Sequence, residues 1–437
     1  MIAKNGEIIL QTTLFRNRSF WGIITTQFLG AFNDNLFKML LMLICVDYAM
    51  LSNQASEQAY YDPYQTSASI LFAVAFLLFS GVAGYLSDKH SKRTIIVISK
   101  VAEIVVMAMG LLVFLTGEHN SYGFILILFA VLFFMGTQSA FFGPSKYGIL
   151  PELFPAKELG MVNGFGQATT FVSIILGAGL AGILKDIFQD NLWIVSSYCV
   201  VTAVIGTFTS TLIRKTPIAE PSLKINKASL FIEKEIWARI FGDPKLKSTL
   251  FIYSIFWFVG GVVFLAITLI GKVQLNLGDM LTGIFSAIMG LGIGAGCVAA
   301  AKLSKNAIRF SLVAKGCWLM FFATLMASLV AVLPIEKDMQ KILFGISLLL
   351  SGFFGGWIAV PLQVFIQFQA PEQLKGRVIA AMNLITWIGI LLASFYYFGF
   401  LWVTGFKADP SWMLVSVGAI MLIAKLVFMK DSEDLVL

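Results

Sequence analysis

The chain has 437 residues, of which 58% are hydrophobic and only 13% are charged. Soluble domains carry about 25% charged residues, so most of this chain cannot face bulk water, and a soluble enzyme is excluded. The net charge of +7 comes from basic residues that cluster between apolar runs. That clustering is typical of membrane topology and gives no argument for a nucleic-acid partner.

Apolar runs recur from one end of the chain to the other, each long enough to cross a hydrocarbon core of roughly 30 Å as a helix. Backbone groups cannot stay unpaired in lipid, so only helices or closed-barrel strands are possible. Barrel strands would alternate apolar and polar residues, and these runs do not. We therefore predict an all-α membrane protein with twelve transmembrane helices. The predicted spans are 20–50, 66–87, 94–116, 122–143, 161–184, 192–213, 246–271, 280–301, 309–333, 342–367, 378–403 and 411–429.

The loops carry basic residues unevenly. With the N-terminus inside, 23 of the 31 lysines and arginines fall on the cytoplasmic side, five fall outside and three lie within spans. Both termini are therefore predicted to be cytoplasmic.

His90 and His119 fall in loops on opposite sides, and the four cysteines lie in spans without paired spacing. We therefore expect no metal, no cofactor and no disulfide framework.

The first span contains Asn33, Asp34, Asn35 and Lys38 near its middle. Each charged group there costs on the order of 2.5–3.5 kcal/mol, so two of them imply a use. Asp34 and Lys38 are four residues apart and share one helix face. Two interpretations stay open: the pair braces the bundle, or the patch faces a water-filled cavity and a polar substrate group. The length and charges of this run also argue against a cleaved signal peptide.

Polar side chains in later spans extend this prediction. Lys100 and Glu103 share a face of the third span, where snorkelling toward the membrane surface is the alternative explanation. Single glutamines in spans are more often helix–helix hydrogen bonds than ligands. The predicted substrate-binding residues are Asn33, Asp34, Asn35, Lys38, Lys100, Glu103, Gln167, Gln363 and Gln367.

The chain divides into residues 1–214 with six spans, a polar linker at 215–245, and residues 246–437 with six more. Isoleucines recur every fourth residue from Ile232 to Ile240 in the linker. This spacing predicts a helix that either lies in the membrane interface or packs on the bundle.

A weak internal repeat relates the two halves. Pro151 precedes Asn163 by the same twelve residues that separate Pro371 from Asn383. Two repeated six-helix bundles are the architecture of many secondary transporters, which bind substrate between the halves and work by alternating access. No ATP-binding phosphate loop is present, which argues against an ATP-driven pump.

The loop from Gly84 to Arg93 has the spacing G-x-L-x-D-x-x-x-[RK]-[RK]. It resembles the signature loop of the major facilitator superfamily. The resemblance implies that Asp88 binds the start of the eleventh span near Arg377 and holds the cytoplasmic side closed. The corresponding loop that begins at Ala301 lacks the acid, so the contact would be asymmetric. The predicted gating residues are Gly84, Asp88, Lys92, Arg93, Asn163, Arg377 and Asn383.

Two further blocks narrow the resemblance. Residues 27–38, with the sequence Asn33-Asp34-Asn35, and residues 143–153, followed by Val162-Asn163-Gly164, are similar to the bacterial lysophospholipid transporter branch of this superfamily. The resemblance implies a flippase that moves lysophosphatidylethanolamine-type lipids from the outer to the inner leaflet of the bacterial inner membrane, for re-acylation. It also implies a functional link to an acyltransferase.

We expect transport without enzymatic activity. The acyltransferases fused to some relatives of this branch use a histidine followed four residues later by an aspartate. Neither His90 nor His119 has an aspartate at that position. We further expect a monomer surrounded by membrane lipid. For a lysophospholipid, Asp34 could face the headgroup ammonium, and Lys38 or Lys100 could face the phosphate.

Two other functions stay open. The chain could be a major facilitator that carries a drug, a siderophore or a metabolite, with or without a coupled proton, or a scaffold that transports nothing.

The G-x-G-x-x-G run at 177–182 lies inside a span, so it predicts close helix packing and not a dinucleotide loop. The same packing is predicted for Gly290, Gly292, Gly294, Gly296, Gly352 and Gly356.

Overall fold

The computed structural model describes residues 14–51, 63–117, 121–224, 231–277, 279–304, 307–404 and 409–429. Within these ranges the chain forms helices and no β-strand. The helices of 17 or more residues are α1 (Arg18–Leu51), α2 (Pro63–Lys89), α3 (Lys92–Thr116), α4 (Tyr122–Gly148), α5 (Ala156–Ile187), α6 (Leu192–Thr211), α7 (Pro244–Leu269), α8 (Asp279–Leu303), α9 (Phe310–Val332), α10 (Lys337–Gln369), α11 (Lys375–Val403) and α12 (Trp412–Phe428).

Eleven described helices are long and apolar enough to cross a membrane, and α12 is a shorter apolar helix. The predicted all-α class and the order of twelve spans are confirmed. The chain is a multi-pass membrane protein by the length and composition of these helices. The predictions that concern His119 and the end of the loop after Ala301 fall on positions outside the described residues.

Helix starts follow from local capping. Asp243 precedes α7 and accepts hydrogen bonds from the backbone N–H groups of Lys245 at 2.9 Å and Leu246 at 3.1 Å. Pro244 begins the helix, where its missing N–H has no consequence. Burial alone would raise the pKa of the Asp243 carboxyl. The backbone hydrogen bonds and one from Gln369 Nε2, at 2.8 Å, hold that pKa below its ordinary value.

The chain forms two compact units by its internal packing. Unit 1 comprises the described residues within Met1–Phe154, Leu176–Glu233 and Glu372–Ala380. Unit 2 comprises those within Pro155–Ile175, Lys234–Pro371 and Ala381–Leu437. Helices α5 and α11 therefore contribute residues to both units. The predicted division at 1–214, 215–245 and 246–437 stays a prediction.

Glycines allow the closest helix contacts in unit 2. A Cβ atom on Gly296 of α8 would collide with the carbonyl oxygen of Phe353 on α10, and one on Gly352 of α10 would collide with that of Met289 on α8. Only glycine permits such an approach of two backbones. The close packing predicted for Gly292, Gly296, Gly352 and Gly356 is confirmed. A Cβ atom on Gly294 would meet nothing nearer than 3.5 Å, so glycine is not required there.

The glycine run in α5 behaves less uniformly than predicted. A Cβ atom on Gly177 would lie 2.5 Å from the carbonyl oxygen of Phe32 on α1, so this glycine does allow close packing. A Cβ atom on Gly179 would meet nothing within 4 Å, and the prediction for that position is wrong. The spacing of glycines shows which faces could approach a neighbour, but the rotation of the helix decides which face does.

The linker contains the helix Lys234–Gly242 in unit 2. Ile236 and Ile240 are buried on one face, whereas Phe231 and Phe241 are exposed. The isoleucine face therefore packs on protein. The position of this helix in the membrane interface stays a prediction.

Candidate functional site

The interior of unit 1 contains an ion pair. On α3, Lys100 Nζ and Glu103 Oε2 lie 2.5 Å apart, and the side chains are only 2% and 1% exposed. Asn33 on α1 donates from Nδ2 to the other carboxylate oxygen, Glu103 Oε1, at 2.8 Å. Gly30 on α1 leaves the space that Lys100 Nζ occupies. Lys100 therefore turns into the bundle and does not extend to the surface, as snorkelling would require.

Asp34 on α1 is held by a residue of α4. One of the two interpretations of the sequence pairs it with Lys38 of its own helix. The Oδ2 atom of Asp34 accepts a hydrogen bond from Ser139 Oγ of α4 at 2.7 Å, and Gln138 Nε2 donates to the same hydroxyl at 2.8 Å. Lys38 Nζ lies 5.5 Å from the centre of the Phe72 ring. Within the part of the chain that is described, Lys38 forms no ion pair with Asp34. Asp34 thus joins α1 to α4 and does not brace α1 on itself.

We use the name charged cluster for the polar and charged side chains of this region, which are Asn33, Asp34, Lys38, Lys100, Glu103, Gln138, Ser139 and Lys146. Three of its buried oxygens accept no hydrogen bond from any described residue: Asn33 Oδ1, Asp34 Oδ1 and Gln138 Oε1. The ammonium groups of Lys100 and Lys146 lie 4.8 and 5.4 Å from the centre of the Phe142 ring. Acceptors without donors beside two cations can bind a group that carries N–H or O–H donors together with an anion.

Unit 2 contains a buried group of polar side chains that carry no charge. Asn163 of α5 and Gln367 of α10 exchange two hydrogen bonds between their side-chain amides, of 2.7 and 3.0 Å. One turn away on both helices, Gln167 and Gln363 are bridged by Tyr253 of α7. The Tyr253 hydroxyl donates to Gln363 Oε1 at 2.7 Å and accepts from Gln167 Nε2 at 3.4 Å. We call these five buried residues the amide row.

The end of α2 contacts the start of α11 within unit 1. Asp88 accepts hydrogen bonds from the backbone N–H groups of Gly376 at 2.6 Å and Arg377 at 3.1 Å, and from Arg377 Nε at 3.2 Å. A Cβ atom on Gly84 or Gly376 would collide with the facing helix, so both glycines are needed. The contact that the resemblance implied between Asp88 and this segment is present. An acid at a helix N-terminus is also stabilised by the helix dipole.

The linker contributes to this α2–α11 junction. Glu233, the last linker residue in unit 1, accepts a hydrogen bond from Arg377 Nη1 at 2.8 Å. The backbone N–H of Glu220 donates to the carbonyl oxygen of Asp88 at 3.0 Å. Arg377 therefore binds two carboxylates, one from α2 and one from the linker.

Two predicted gating residues have other partners. Lys92 is fully buried and lies 2.6 Å from Glu152 Oε1. Arg93 donates to the carbonyl oxygens of Ile213 at 2.7 Å and Thr211 at 3.0 Å. Arg93 thus satisfies carbonyl groups that the end of α6 leaves unpaired.

Two more predicted residues lie outside these groups. Asn35 Nδ2 donates to the carbonyl oxygen of Ala31 in its own helix at 2.7 Å. Asn383 is half-buried on α11, and no hydrogen bond among the described residues joins it to the charged cluster or the amide row.

Three residues of these groups, Ser139, Gln138 and Tyr253, were not among the residues predicted from sequence. The first two are adjacent polar residues within an apolar run, and that interruption was a usable signal. Tyr253 gave none, because a tyrosine in a span is unremarkable in sequence.

The sequence matches the Major Facilitator Superfamily over residues 23–394. The chain belongs to this superfamily. The predicted twelve-helix major facilitator fold is thereby confirmed.

Relatives and solved structures agree with this membership. The chain is 26% identical over 384 residues to the "Lysophospholipid transporter LplT" of Cronobacter sakazakii, covering 84% of this chain and 85% of the relative. It is 28% identical over 385 residues to the protein of the same name from Klebsiella pneumoniae, covering 85% of each.

Two solved major facilitators have the same fold. The human organic anion transporter MFSD10 superposes with a TM-score of 0.71 at 15% identity, covering 93% of this chain and 99% of that chain. The proton:xylose symporter XylE gives 0.71 at 15% identity, covering 94% and 96%. At this identity the likeness concerns the fold alone.

Proposed function

We propose that this major facilitator transports lysophospholipids of the lysophosphatidylethanolamine type from the outer to the inner leaflet of a bacterial inner membrane, by alternating access. The proposal includes cytoplasmic termini, a monomer without enzymatic activity, and delivery of the lipid to an acyltransferase. The observation that carries it is the charged cluster of unit 1, in a chain similar over most of its length to transporters named for this lipid class.

The chemistry of the cluster suits a zwitterionic headgroup. An ammonium has three N–H donors, and the cluster has three buried oxygens that lack a donor, on Asn33, Asp34 and Gln138. The acid that faces the ammonium is Asp34, since Glu103 is already occupied by Lys100 and Asn33.

The phosphate needs a cation nearby. Lys146 and Lys38 are better candidates than Lys100, because their ammonium groups lie against aromatic rings and not against a carboxylate. The ammonium of Lys146 lies 5.4 and 4.7 Å from the centres of the Phe142 and Tyr147 rings. Lys100 is paired with Glu103, and Lys38 lies over Phe72. Gating is assigned to the α2–α11 junction, where Asp88 holds the start of α11 by three hydrogen bonds.

The test is translocation of labelled lysophosphatidylethanolamine by the purified protein in liposomes, with diacyl lipid as a reference and with and without a proton gradient. Protein-dependent movement of the lyso-lipid supports the proposal. Movement that needs the gradient keeps the substrate and adds proton coupling. No movement by folded protein in either condition contradicts the proposal and favours a soluble cargo.

Variants then test the headgroup site. We expect Asp34→Asn and Ser139→Ala to reduce lyso-lipid transport. The matched control is Thr137→Val on the same helix, because the Thr137 hydroxyl donates only within α4, to the Phe133 carbonyl at 2.9 Å. Normal transport by a well-expressed Asp34→Asn protein would remove Asp34 from the substrate site.

A further inference from the structure

The amide row ends in two unsatisfied atoms. Gln167 Oε1 and Gln363 Nε2 are buried and have no hydrogen-bond partner among the described residues. The two side chains are 1% and 0% exposed. Each atom belongs to an amide whose other end contacts the Tyr253 hydroxyl. A buried acceptor and a buried donor are thus left open on the two amides that contact one phenol oxygen. The indole Nε1 of Trp257, whose ring lies 6.3 Å from that of Tyr253, is a further buried donor without a partner in the part of the chain that the structure describes.

The same result holds for both arrangements of the amides in which the Tyr253 hydroxyl donates to one and accepts from the other. If both amides are rotated by half a turn, Gln363 donates to the Tyr253 oxygen and Gln167 accepts from its hydroxyl. The remaining atoms are then a donor on Gln167 and an acceptor on Gln363. Either arrangement leaves one donor and one acceptor.

The neighbouring pair in the row shows that the fold can satisfy such amides. Asn163 and Gln367 lie one turn away on the same two helices and use both ends of each amide on each other. Leaving a buried polar atom unpaired costs about 1–3 kcal/mol. The open atoms of Gln167 and Gln363 are therefore a feature of that position and not of the helix pair.

The open atoms define the ligand chemistry. The ligand group has to donate and accept at once, and it has to be neutral because no charge in the row would offset an ion. Aromatic rings line the position: Trp257 stacks on Phe171 at 6.0 Å and lies 6.3 Å from Tyr253, between ring centres. An aliphatic hydroxyl group meets these requirements.

We propose that Gln167 and Gln363 bind the free glycerol hydroxyl of the lysophospholipid, and that this contact distinguishes a lyso-lipid from a diacyl lipid. The proposal rests on the transport function proposed above and adds residues that select the substrate. In a diacyl lipid this oxygen is esterified and cannot donate, so the acceptor of the row stays unpaired. The hydroxyl enters the row when the carrier opens, since both atoms are enclosed in the conformation described.

The test compares three lipids with the same headgroup and acyl chain in liposomes that contain the wild-type protein. They are lysophosphatidylethanolamine, its analogue without the hydroxyl, and its analogue with a methyl ether at that oxygen. Each hydrogen bond contributes a factor of about five. We therefore expect the analogue without the hydroxyl, which loses two bonds, to move roughly 25-fold more slowly, and the methyl ether, which still accepts but cannot donate, to move roughly fivefold more slowly. This comparison needs no variant and therefore no assumption about folding.

A variant locates the effect. In Gln167→Met/Tyr253→Phe/Gln363→Met the shape of the row is retained without its polar atoms, and we expect the three lipids to move at equal rates. The matched control is Asn163→Leu/Gln367→Met, which removes the satisfied pair and should keep the discrimination, whatever its overall rate.

Other results separate the two proposals. If the wild-type protein moves all three lipids equally, the transport function stands and the hydroxyl assignment is wrong, with the row binding water only. If the triple variant still discriminates, the hydroxyl is recognised elsewhere and the assignment is also wrong. If the wild-type protein moves none of them, the proposed function fails and the assignment fails with it.

Discussion

The two units bury polar side chains with different chemistry. Unit 1 uses charges: Lys100 binds Glu103 in the interior, and Asp88 binds Arg377 at the end of α2. Unit 2 has one buried lysine among its described residues, Lys425, but the side-chain hydrogen bonds described in its interior join neutral groups, as in the amide pair of Asn163 and Gln367. The stability of a buried charge depends strongly on its partner, because losing the partner leaves an uncompensated charge. A satisfied pair of amides carries no net charge and needs only its hydrogen bonds.

Under the function proposed above, this difference would give the two units separate tasks. A charged headgroup can offset buried charges in unit 1, and it would be costly beside the neutral groups of unit 2. The sequence repeat relates Gly84 to Ala301. In unit 1, Gly84 faces α11 beside an acid. In unit 2, Ala301 packs against Gly164 of α5, whose Cβ would lie 2.7 Å from that of Ala301. Similar helix contacts therefore carry an ionic contact in one unit and apolar packing in the other.

Glu103→Leu should have the largest effect on stability. It leaves Lys100 buried without its partner, and breaking a buried pair typically costs about 3–5 kcal/mol. Lys100→Met/Glu103→Leu should recover much of that loss, because two apolar side chains can replace the pair. The free energy of unfolding in one detergent measures both variants. Equal stability of the single and double variants would contradict this account of unit 1.

Asp88→Asn should loosen the α2–α11 junction. The asparagine keeps the shape but loses the charge that binds two backbone N–H groups and a guanidinium, each such bond contributing about 1.5–3 kcal/mol. Hydrogen exchange at Gly376 and Arg377 should accelerate at least about tenfold. Asn163→Leu/Gln367→Met should leave exchange at these two amides unchanged. If Asp88→Asn also left it unchanged, the charge would not be what holds α11.

Asp243→Ala tests a carboxylate at the edge of unit 2. Loss of an N-cap residue costs typically about 1 kcal/mol. The pKa of Asp243 is lower in the folded protein than its ordinary value. Its contribution is therefore complete above the ordinary pKa of about 3.9 and is lost as the pH falls through the folded-state value. Unfolding measured against pH should show a smaller loss of stability in acid for the variant, and identical acid limbs would contradict this.

Glu233→Gln should have the smallest effect. Its bond to Arg377 is partly exposed, with 21% of the Glu233 side chain accessible, so solvent screens it. We expect a loss of about 0.2–1 kcal/mol that shrinks as salt is added. Glu220 is the matched control, because only its backbone N–H reaches Asp88, so Glu220→Gln should leave stability unchanged. A loss independent of salt would mean that the contact is not electrostatic.

The sequence by itself determined the helices and the identity of their polar residues. Apolar length predicts a span because every backbone group in lipid must bond within its own helix, which is a local requirement. The same locality explains why Lys100 and Glu103, three residues apart, could be recognised as neighbours. The contact of Asp88 with α11 came from the family resemblance, since nothing local in either segment specifies it.

Only the tertiary structure decided which helix each polar group faces. Asp34 could have bound Lys38 on its own helix, yet it binds Ser139, which lies 105 residues away in the chain. Asn163 and Gln367, predicted for different roles, bind each other across 204 residues. Such partners depend on how far each helix is rotated and where it crosses its neighbours. Those angles are set by the packing of all the helices together, so no single segment of sequence contains them.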